Sequence, residues 1–594
     1  MQPLTGLDAS FLTLETPTVH MHVGSVAVIE GSLDFDTFRD LLAARIHLVP
    51  TFRQRLMQVP LSFDHPYWAD DPHFNLDRHL QHIALPRPGG WRQLRTLASR
   101  IFSQPLDHSR PLWEIVFVEG LDTIPQVPPG SVAIIAKIHH AAIDGVSGVD
   151  VMGLLFDVTP KPRVVPPPPP FQPAPLPGEL ELMTRSAWNF ITRPLKLPSL
   201  LADAARATVK AGVLTRVQGV ELPPAPFSAP PTRLNRPISS QRVWNTALLS
   251  LDRVKAIKNI VRGTTVNDVV LAICTGALRR YLEEKGELPD KPLVALVPVS
   301  TRSADEKNAL GNQVSAMLIQ LPTHVADCLE QLRLIHENTV QGKLYQDALG
   351  AKTLANFTEF IPFGLAGQAA RLYSRMHMSE YHNPIFNLTI TNVPGPQIDL
   401  YLAGHRLLAN LGMGPIIDGM ALIIPIFSYN GILSLSPTSC PTIMPDIDLF
   451  TRYLREAANA LEAAVLPLQP PAPEAAKEPD SAEFFTQVRA YIAAHPELIS
   501  PQQGIYQFEF TGATSPLWVL DLKNPPGSVV AGERPDADCR FIISQENFQR
   551  LLSGNLDLQI AFVQGKLKVQ GDFSKALKLG SLLRKLSAPE PVPA

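Results

Sequence analysis

Hydrophobic and polar positions change period repeatedly along the first 160 residues. His22 to Ile29 is an apolar, β-branched run that predicts a strand, and from Phe35 to Ile46 the positions Phe38, Leu41, Leu42 and Ile46 recur at helical spacing. The run Ser131 to Ala136 is too short for a helix of usual length and reads as a buried strand. Asp144-Gly145 marks a turn beyond it, after which Val149, Met152, Leu154, Leu155 and Phe156 resume helical spacing. The segment Lys137 to Gly145 thus sits between a central strand and a packed helix, a rigid mount for a reactive group.

The pattern then breaks. Pro160, Pro162, Pro166 through Pro170, Pro173, Pro175 and Pro177 make an extended surface connector. A helical segment from about Glu179 to Val217 crosses back, and prolines between Pro223 and Pro237 end the passage. Regular alternation returns with a strand over Val243 to Leu249 and a long helix starting at Thr265 and running through Val270, Ile273, Leu278 and Tyr281. Leu293 to Ser300 and Asn387 to Thr391 read as further strands, each followed by a loop. Tyr429-Asn430-Gly431 predicts a hairpin turn, and a helix runs through Phe450, Leu454 and Leu461. Prolines and alanines from Leu466 to Asp480 read as a linker. A separate unit follows: a helix with Phe484, Phe485, Val488, Tyr491 and Ile492, strands at Tyr506 to Phe510, Leu517 to Leu522 and Cys539 to Ile543, a helix at Glu546 to Leu552, and a final segment from Gln564 to Asp572. The order of elements is that of an α/β protein.

Length and composition narrow the function. The chain has 594 residues, 45% of them hydrophobic, enough for several domains with large cores. A formal net charge of -3 gives no electrostatic case for nucleic acid. Cys274, Cys328, Cys440 and Cys539 lack paired or ligand-like spacing, which points to a reducing compartment without a disulfide framework. The N-terminus shows no basic region followed by an apolar core, and the longest apolar stretch, Gly419 to Leu435, is interrupted by Pro425 and the Asn-Gly turn. A soluble or peripheral protein is expected.

Candidate chemistry centres on His139 and His140. Adjacent strand residues point to opposite faces, so one histidine enters a given cavity and the other supports it. An imidazole can take a proton from a hydroxyl as that oxygen attacks an activated carbonyl. Asp144 is close enough in sequence to orient the loop, through a ring nitrogen or a distant arginine. Two plainer accounts stand beside this one. The pair could be buried and satisfied by backbone, or it could bind metal, although Asp144 alone makes a poor third zinc ligand. Arg53 and Arg55 alternate if extended, so one can reach Asp144, or both can be solvated. Thr265 and Asp268 fit an N-cap with an acidic third residue, and Asn267 and Asp268 can otherwise line a cavity. Asn392 can donate to a developing oxyanion or cap the turn made by Pro394, Gly395 and Pro396. Trp113 reads as core.

The spacing His139-His140-x-x-x-Asp144-Gly145 resembles the signature of the acyltransferase superfamily that includes chloramphenicol acetyltransferase and peptide-synthetase condensation domains. The opening from Pro3 to Phe11, Glu15-Thr16-Pro17, Met21 to Gly24, Phe52 to Leu56, Arg110-Pro111-Leu112-Trp113-Glu114, Asn267-Asp268, Leu293 to Arg302 and Gly311-Asn312-Gln313 resemble motifs of the bacterial wax ester synthase/diacylglycerol acyltransferase family, over residues 3 to 465. That resemblance implies one acyltransferase domain over 1–465, built from two chloramphenicol-acetyltransferase-like halves, about 1–160 and 238–465. It implies His140 as general base and Asp144 facing away to hold the loop through an arginine. It also implies an acyl-CoA co-substrate, no bound cofactor or metal, and a long-chain alcohol or diacylglycerol acceptor. A cytoplasmic protein reversibly attached to membrane or lipid inclusions is the family's expectation. After the 466–480 linker, residues 482 to 586 are similar to the sterol carrier protein 2 domain, which implies a lipid-binding α/β unit over 481–588 with an apolar tunnel. A non-catalytic lipid carrier and a condensation-type enzyme using a carrier-bound donor are the rival readings. The intact His140, Asp144 and Gly145 argue against the first, and the want of an obvious carrier segment weakens the second.

Overall fold

The computed structural model describes residues 2–60, 64–143, 148–167, 170–192, 224–300, 314–349, 363–468, 481–494, 504–511, 517–552, 561 and 566–571. The chain divides into two compact units, Met1–Gln469 and Pro470–Ala594. Both are α/β.

The first unit is built on two large sheets. Strand Val132–His139 is the middle of the first, paired antiparallel with His22–Ile29 on one side and Trp113–Glu119 on the other. Every one of its eight residues is buried, which is why its sequence is apolar without a break from Val132 to Ala136 instead of alternating. Its single charged member, Lys137, is satisfied by Glu114 Oε2 at 2.7 Å and by the carbonyls of Ile101 and Gln104. Leu80–Ala84 closes one edge of this sheet, beyond Trp113–Glu119.

The other edge comes from far along the chain. His405–Met413 pairs with His22–Ile29, and Tyr401–Leu402 pairs outside it, so the sheet of the first half is completed by strands of the second. Neither segment stands out in the hydrophobic pattern, and no strand is expected at either from the sequence. The second sheet runs Val314–Leu321, Leu293–Ser300, Leu388–Pro394, Ile423–Tyr429, Ile432–Leu435 and Ala247–Ser250. The Asn430-Gly431 hairpin forms as expected, with positive φ at both residues (43° and 78°).

Several boundaries differ from the expected ones. The strand over Val243 to Leu249 is two pieces, Val243–Trp244 and Ala247–Ser250. Asn245 interrupts it because its buried amide accepts from Trp91 Nε1 and donates to Asp448 and Thr451. A small three-stranded sheet, Gln2–Pro3, Tyr67–Asp70 and Gln54–Met57, was not evident from periodicity. The helix after the proline connector is described over Glu179–Thr192, and its continuation to Val217 lies outside the described residues. So do Gly311-Asn312-Gln313. Trp113 is core: its ring stacks between Phe52 and His79, and its Nε1 donates to Phe52 O at 2.9 Å.

The second unit has one five-stranded sheet in the order Ser528–Ala531, Trp518–Asp521, Ile505–Thr511, Cys539–Ser544, Leu567–Gly571, with helices Ser481–Ala494 and Gln545–Leu552. Ser528–Ala531 is an addition to the strands expected. Phe485, Phe508, Trp518, Phe541 and Phe548 fill its core; Phe562 and Phe573 lie outside the described residues. No helix among the described residues is long and apolar enough to cross a membrane.

Candidate active site

The histidine pair sits where the central strand ends. His22 lies opposite His139 in the ladder, and one more rung follows, from His140 N–H to Met21 O at 2.8 Å. The chain then leaves the sheet. His140 is the first residue of a four-residue helix, His140–Ile143, so it does not alternate with His139 on a strand as expected. Ala141 and Ala142 are small and fully packed, which lets this turn lie against the sheet.

The two rings have different company. His139 is completely buried, and its Nδ1 accepts the Ala141 N–H at 3.1 Å. The ring proton must therefore be on Nε2, which lies 3.2 Å from Glu15 Oε1, an electrostatic contact outside hydrogen-bond geometry. Glu15 Oε2 lies 2.9 Å from His108 Nε2, and Oε1 also accepts the Met21 N–H at 2.9 Å. Burial alone raises the Glu15 carboxyl, but the ring contacts of His108 and His139 and the bond from Met21 outweigh it and hold the group well below the carboxylate range. His108 is pushed up in return by its bond to Glu15. Glu15, His108 and His139 have the composition of a metal site. The His139 tautomer opposes that use, because the nitrogen facing Glu15 carries the proton and is a donor, not a lone pair.

His140 is the freer ring. It stacks on Phe11 with centroids 3.9 Å apart, and Phe11 belongs to the opening helix Gly6–Thr13. Burial, with the neighbouring His139 adding to it, lowers the His140 pKa to about 4. At neutral pH the imidazole is uncharged and able to accept a proton. The same opening helix, with Ala9, Ser10 and Thr13, forms one wall of a cavity of about 420 Å³; Ala366, Ala369 and Ala370 of helix Phe363–Arg375 form the other. Small side chains on both helices leave the space, and its lining is mainly apolar.

The remaining candidates fall into separate groups. Asn392 and Asn267 meet, Nδ2 to Oδ1 at 3.4 Å, so these two distant positions are brought together. Asn392 lies within strand Leu388–Pro394, paired opposite Ile426, and does not cap the turn. Gly395 is required there, since a Cβ would run into Ser428 O and the Phe427 ring. Asp268 is buried in a capping box: its Oδ2 accepts the Thr265 N–H at 2.8 Å and faces His336 Nδ1, and its Oδ1 accepts from Thr339 Oγ1. That places Asp268 in helix packing. Arg53 lies over the Phe171 ring at 4.5 Å, and Arg55 sits on strand Gln54–Met57 with Nη2 3.8 Å from Met57 Sδ. Asp144 and Gly145, their expected connection to the loop, lie outside the described residues.

Sequence reasoning missed Glu15 and His108 as parts of this site. Glu15 stood inside a recognised motif, but nothing local joins it to residues 93 and 124 positions later.

Comparison with known proteins gives three family matches along the chain. Residues 4–270 match the wax ester synthase/diacylglycerol acyltransferase catalytic domain and 310–462 the C-terminal domain of that group; 485–584 match the SCP-2 sterol transfer family. A Mycobacterium tuberculosis protein provisionally named a diacylglycerol O-acyltransferase is 35% identical over 467 residues, covering 77% of this chain and 90% of its own length. Another protein of that organism, similarly named, is 33% identical over 480 residues, 78% of this chain and 100% of its own. Among solved structures, the wax ester synthase/diacylglycerol acyltransferase of Marinobacter aquaeolei VT8 has a TM-score of 0.54 at 28% identity, over 78% of this chain and 100% of that one.

Proposed function

Since this chain belongs to the wax ester synthase/diacylglycerol acyltransferase family and is an O-acyltransferase that forms neutral lipid esters, we propose that it moves a long acyl chain from acyl-CoA to the hydroxyl of a diacylglycerol or long-chain alcohol, with His140 as general base. The observation that carries this reading is a neutral His140 mounted at the end of a rigid strand and stacked on Phe11 of the opening helix, other residues of which wall an apolar cavity. His140 takes the acceptor hydroxyl proton as the oxygen attacks the thioester carbonyl. The tetrahedral intermediate collapses with cleavage of the C–S bond, and the coenzyme A thiolate recovers the proton from the imidazolium. The enzyme forms no covalent intermediate in this scheme. The paired amides of Asn392 and Asn267 are the proposed donors to the oxyanion. Asp144, with Arg53 or Arg55, would hold the loop.

The acyltransferase domain is proposed to span residues 1–465 and the carrier domain 481–588, with the SCP-2 unit holding acyl chains or product lipid for the first. Peripheral contact with a lipid surface fits exposed Leu372, Met376 and Tyr381 on and beside the cavity helix. The direct test is coenzyme A release from palmitoyl-CoA by the full chain, with hexadecanol, with dipalmitoylglycerol, or with neither. Acceptor-dependent release with ester as product is the expected result. Release without ester, or no release with either acceptor beside lipid binding, favours the carrier reading.

The same assay has an expected pH dependence. With the His140 pKa lowered to about 4, kcat/KM keeps its neutral-pH value down to about pH 5 and does not inflect near the ordinary histidine value of 6.5. Stability moves differently. His20, lowered to about 4 by burial and by Arg242, and buried His22, also lowered, behave like His140. Between 6.5 and about 4 the unfolded chain binds protons at these sites and the folded chain does not. The stability these three histidines contribute is therefore full above 6.5 and is lost as pH falls toward 4. Short assays on protein held at pH 7 separate the two effects, and an inflection near 6.5 in such assays would count against a buried neutral base.

A further inference from the structure

A second concavity, of about 380 Å³, lies between helix Trp91–Phe102 and the stretches 241–244 and 441–448. Arg95, Arg100 and Arg242 line it, and among the described residues Asp448 is its single carboxylate. Arg242 is 4% exposed, and its guanidinium donates only to carbonyls: Nη1 to Ser239 O at 2.6 Å and Gln241 O at 3.1 Å, Nη2 to Thr18 O at 2.6 Å. Carbonyls satisfy its hydrogens without forming an ion pair, and Asp418, which is outside the groove, acts on its charge only through space. Burial pushes Arg242 down to about 10, which still leaves it cationic at neutral pH. Arg95 pairs with Asp448, and both burial and adjacent Arg92 lower its pKa. Arg100 is exposed and makes no ion pair among the described residues. The groove therefore carries more positive charge than its own carboxylate balances, in the fork geometry that suits phosphate oxygens.

Of the reactants in the proposed transfer, only the acyl donor is anionic. Diacylglycerols and long-chain alcohols carry no charge, whereas coenzyme A carries three phosphates. The groove is also tied to the catalytic strand end. Arg242 holds the Thr18 carbonyl, three residues from Met21, whose own carbonyl takes the His140 N–H. We propose that this groove binds the phosphate-bearing end of the acyl-CoA donor, with Arg95 and Arg100 contacting phosphate and buried Arg242 supplying a fixed charge behind them. The inference rests on the acyl-CoA reading above and names the residues that select that donor.

The test uses the full chain and two donors, palmitoyl-CoA and palmitoyl-N-acetylcysteamine, which has the thioester but no phosphate. The expected result for the double variant Arg95→Gln/Arg100→Gln is that KM for palmitoyl-CoA rises about tenfold relative to KM for the phosphate-free donor, with a kcat change common to both. Asp448→Asn removes the opposing charge while keeping an amide oxygen for Asn245, and is expected to lower KM for palmitoyl-CoA, a gain that misfolding cannot produce. Equal changes for both donors, or none, would overturn the proposal. Turnover of neither donor would overturn the acyl-CoA reading itself. The groove is then decided by calorimetric titration with 3′,5′-ADP, where binding lost in the double variant supports it and no binding overturns it. Inorganic phosphate binding as tightly as 3′,5′-ADP would also overturn it, as that is a general anion site.

Discussion

His140→Ala is expected to lower acceptor-dependent coenzyme A release about 10³-fold while leaving the fold in place, the range found when a general base is removed and substrate positioning is kept. The fold should tolerate the change because the His140 ring contributes a stacking contact with Phe11, whereas the backbone rung to Met21 O is made by its N–H and survives in alanine. The partner variant His139→Ala should behave differently. It leaves Glu15 and the Ala141 N–H short of a partner inside the protein, so stability falls with activity. Rates from single variants at matched folded fraction, measured by near-UV circular dichroism, separate the two histidines. Release by His140→Ala equal to wild type would sink the assignment of the base.

The asymmetry between those histidines shows what local pattern can carry. The central strand was legible because burial on both faces demands an uninterrupted apolar run, and Val132 to Ala136 supply it. The Thr265 capping box and the Asn430-Gly431 turn were legible for the same reason: each is closed within four residues. Asn267 and Asn392 were each singled out, but their meeting across 125 positions was not. The sheet edge at His405–Met413 was likewise invisible, because its burial does not alternate cleanly and a register shift between Leu407 and Ala409 breaks the period, so the sequence predicts no strand there. His140 was assigned to a strand because the His139-His140 pair follows one directly. What ends the strand is tertiary: the last rung to Met21 O, followed by two packed alanines.

Glu15 is the residue whose importance depends most on this long-range assembly, and Glu15→Ala carries the second large expected effect. Its carboxylate, 17% exposed, serves two imidazole nitrogens and the Met21 N–H at once. Truncation strands all three, at a cost of roughly 3 kcal/mol, and frees Met21, on which the His140 backbone hangs. A displaced base should lower kcat about 10²-fold with little change in KM. Glu15→Gln separates position from charge. Its amide oxygen can keep the Met21 N–H, but it cannot favour a protonated His108. The His108 pKa, raised in the wild-type protein, should therefore fall in Glu15→Gln, read from its ring proton shifts by NMR. Because the raised His108 pKa adds stability below 6.5 that disappears as pH rises through the folded value, the stability gap between wild type and Glu15→Gln should be widest near pH 5 to 6 and shrink toward alkaline pH. A gap that grows with pH would contradict the His108–Glu15 pairing, and full kcat in Glu15→Ala would remove Glu15 from the support of the base.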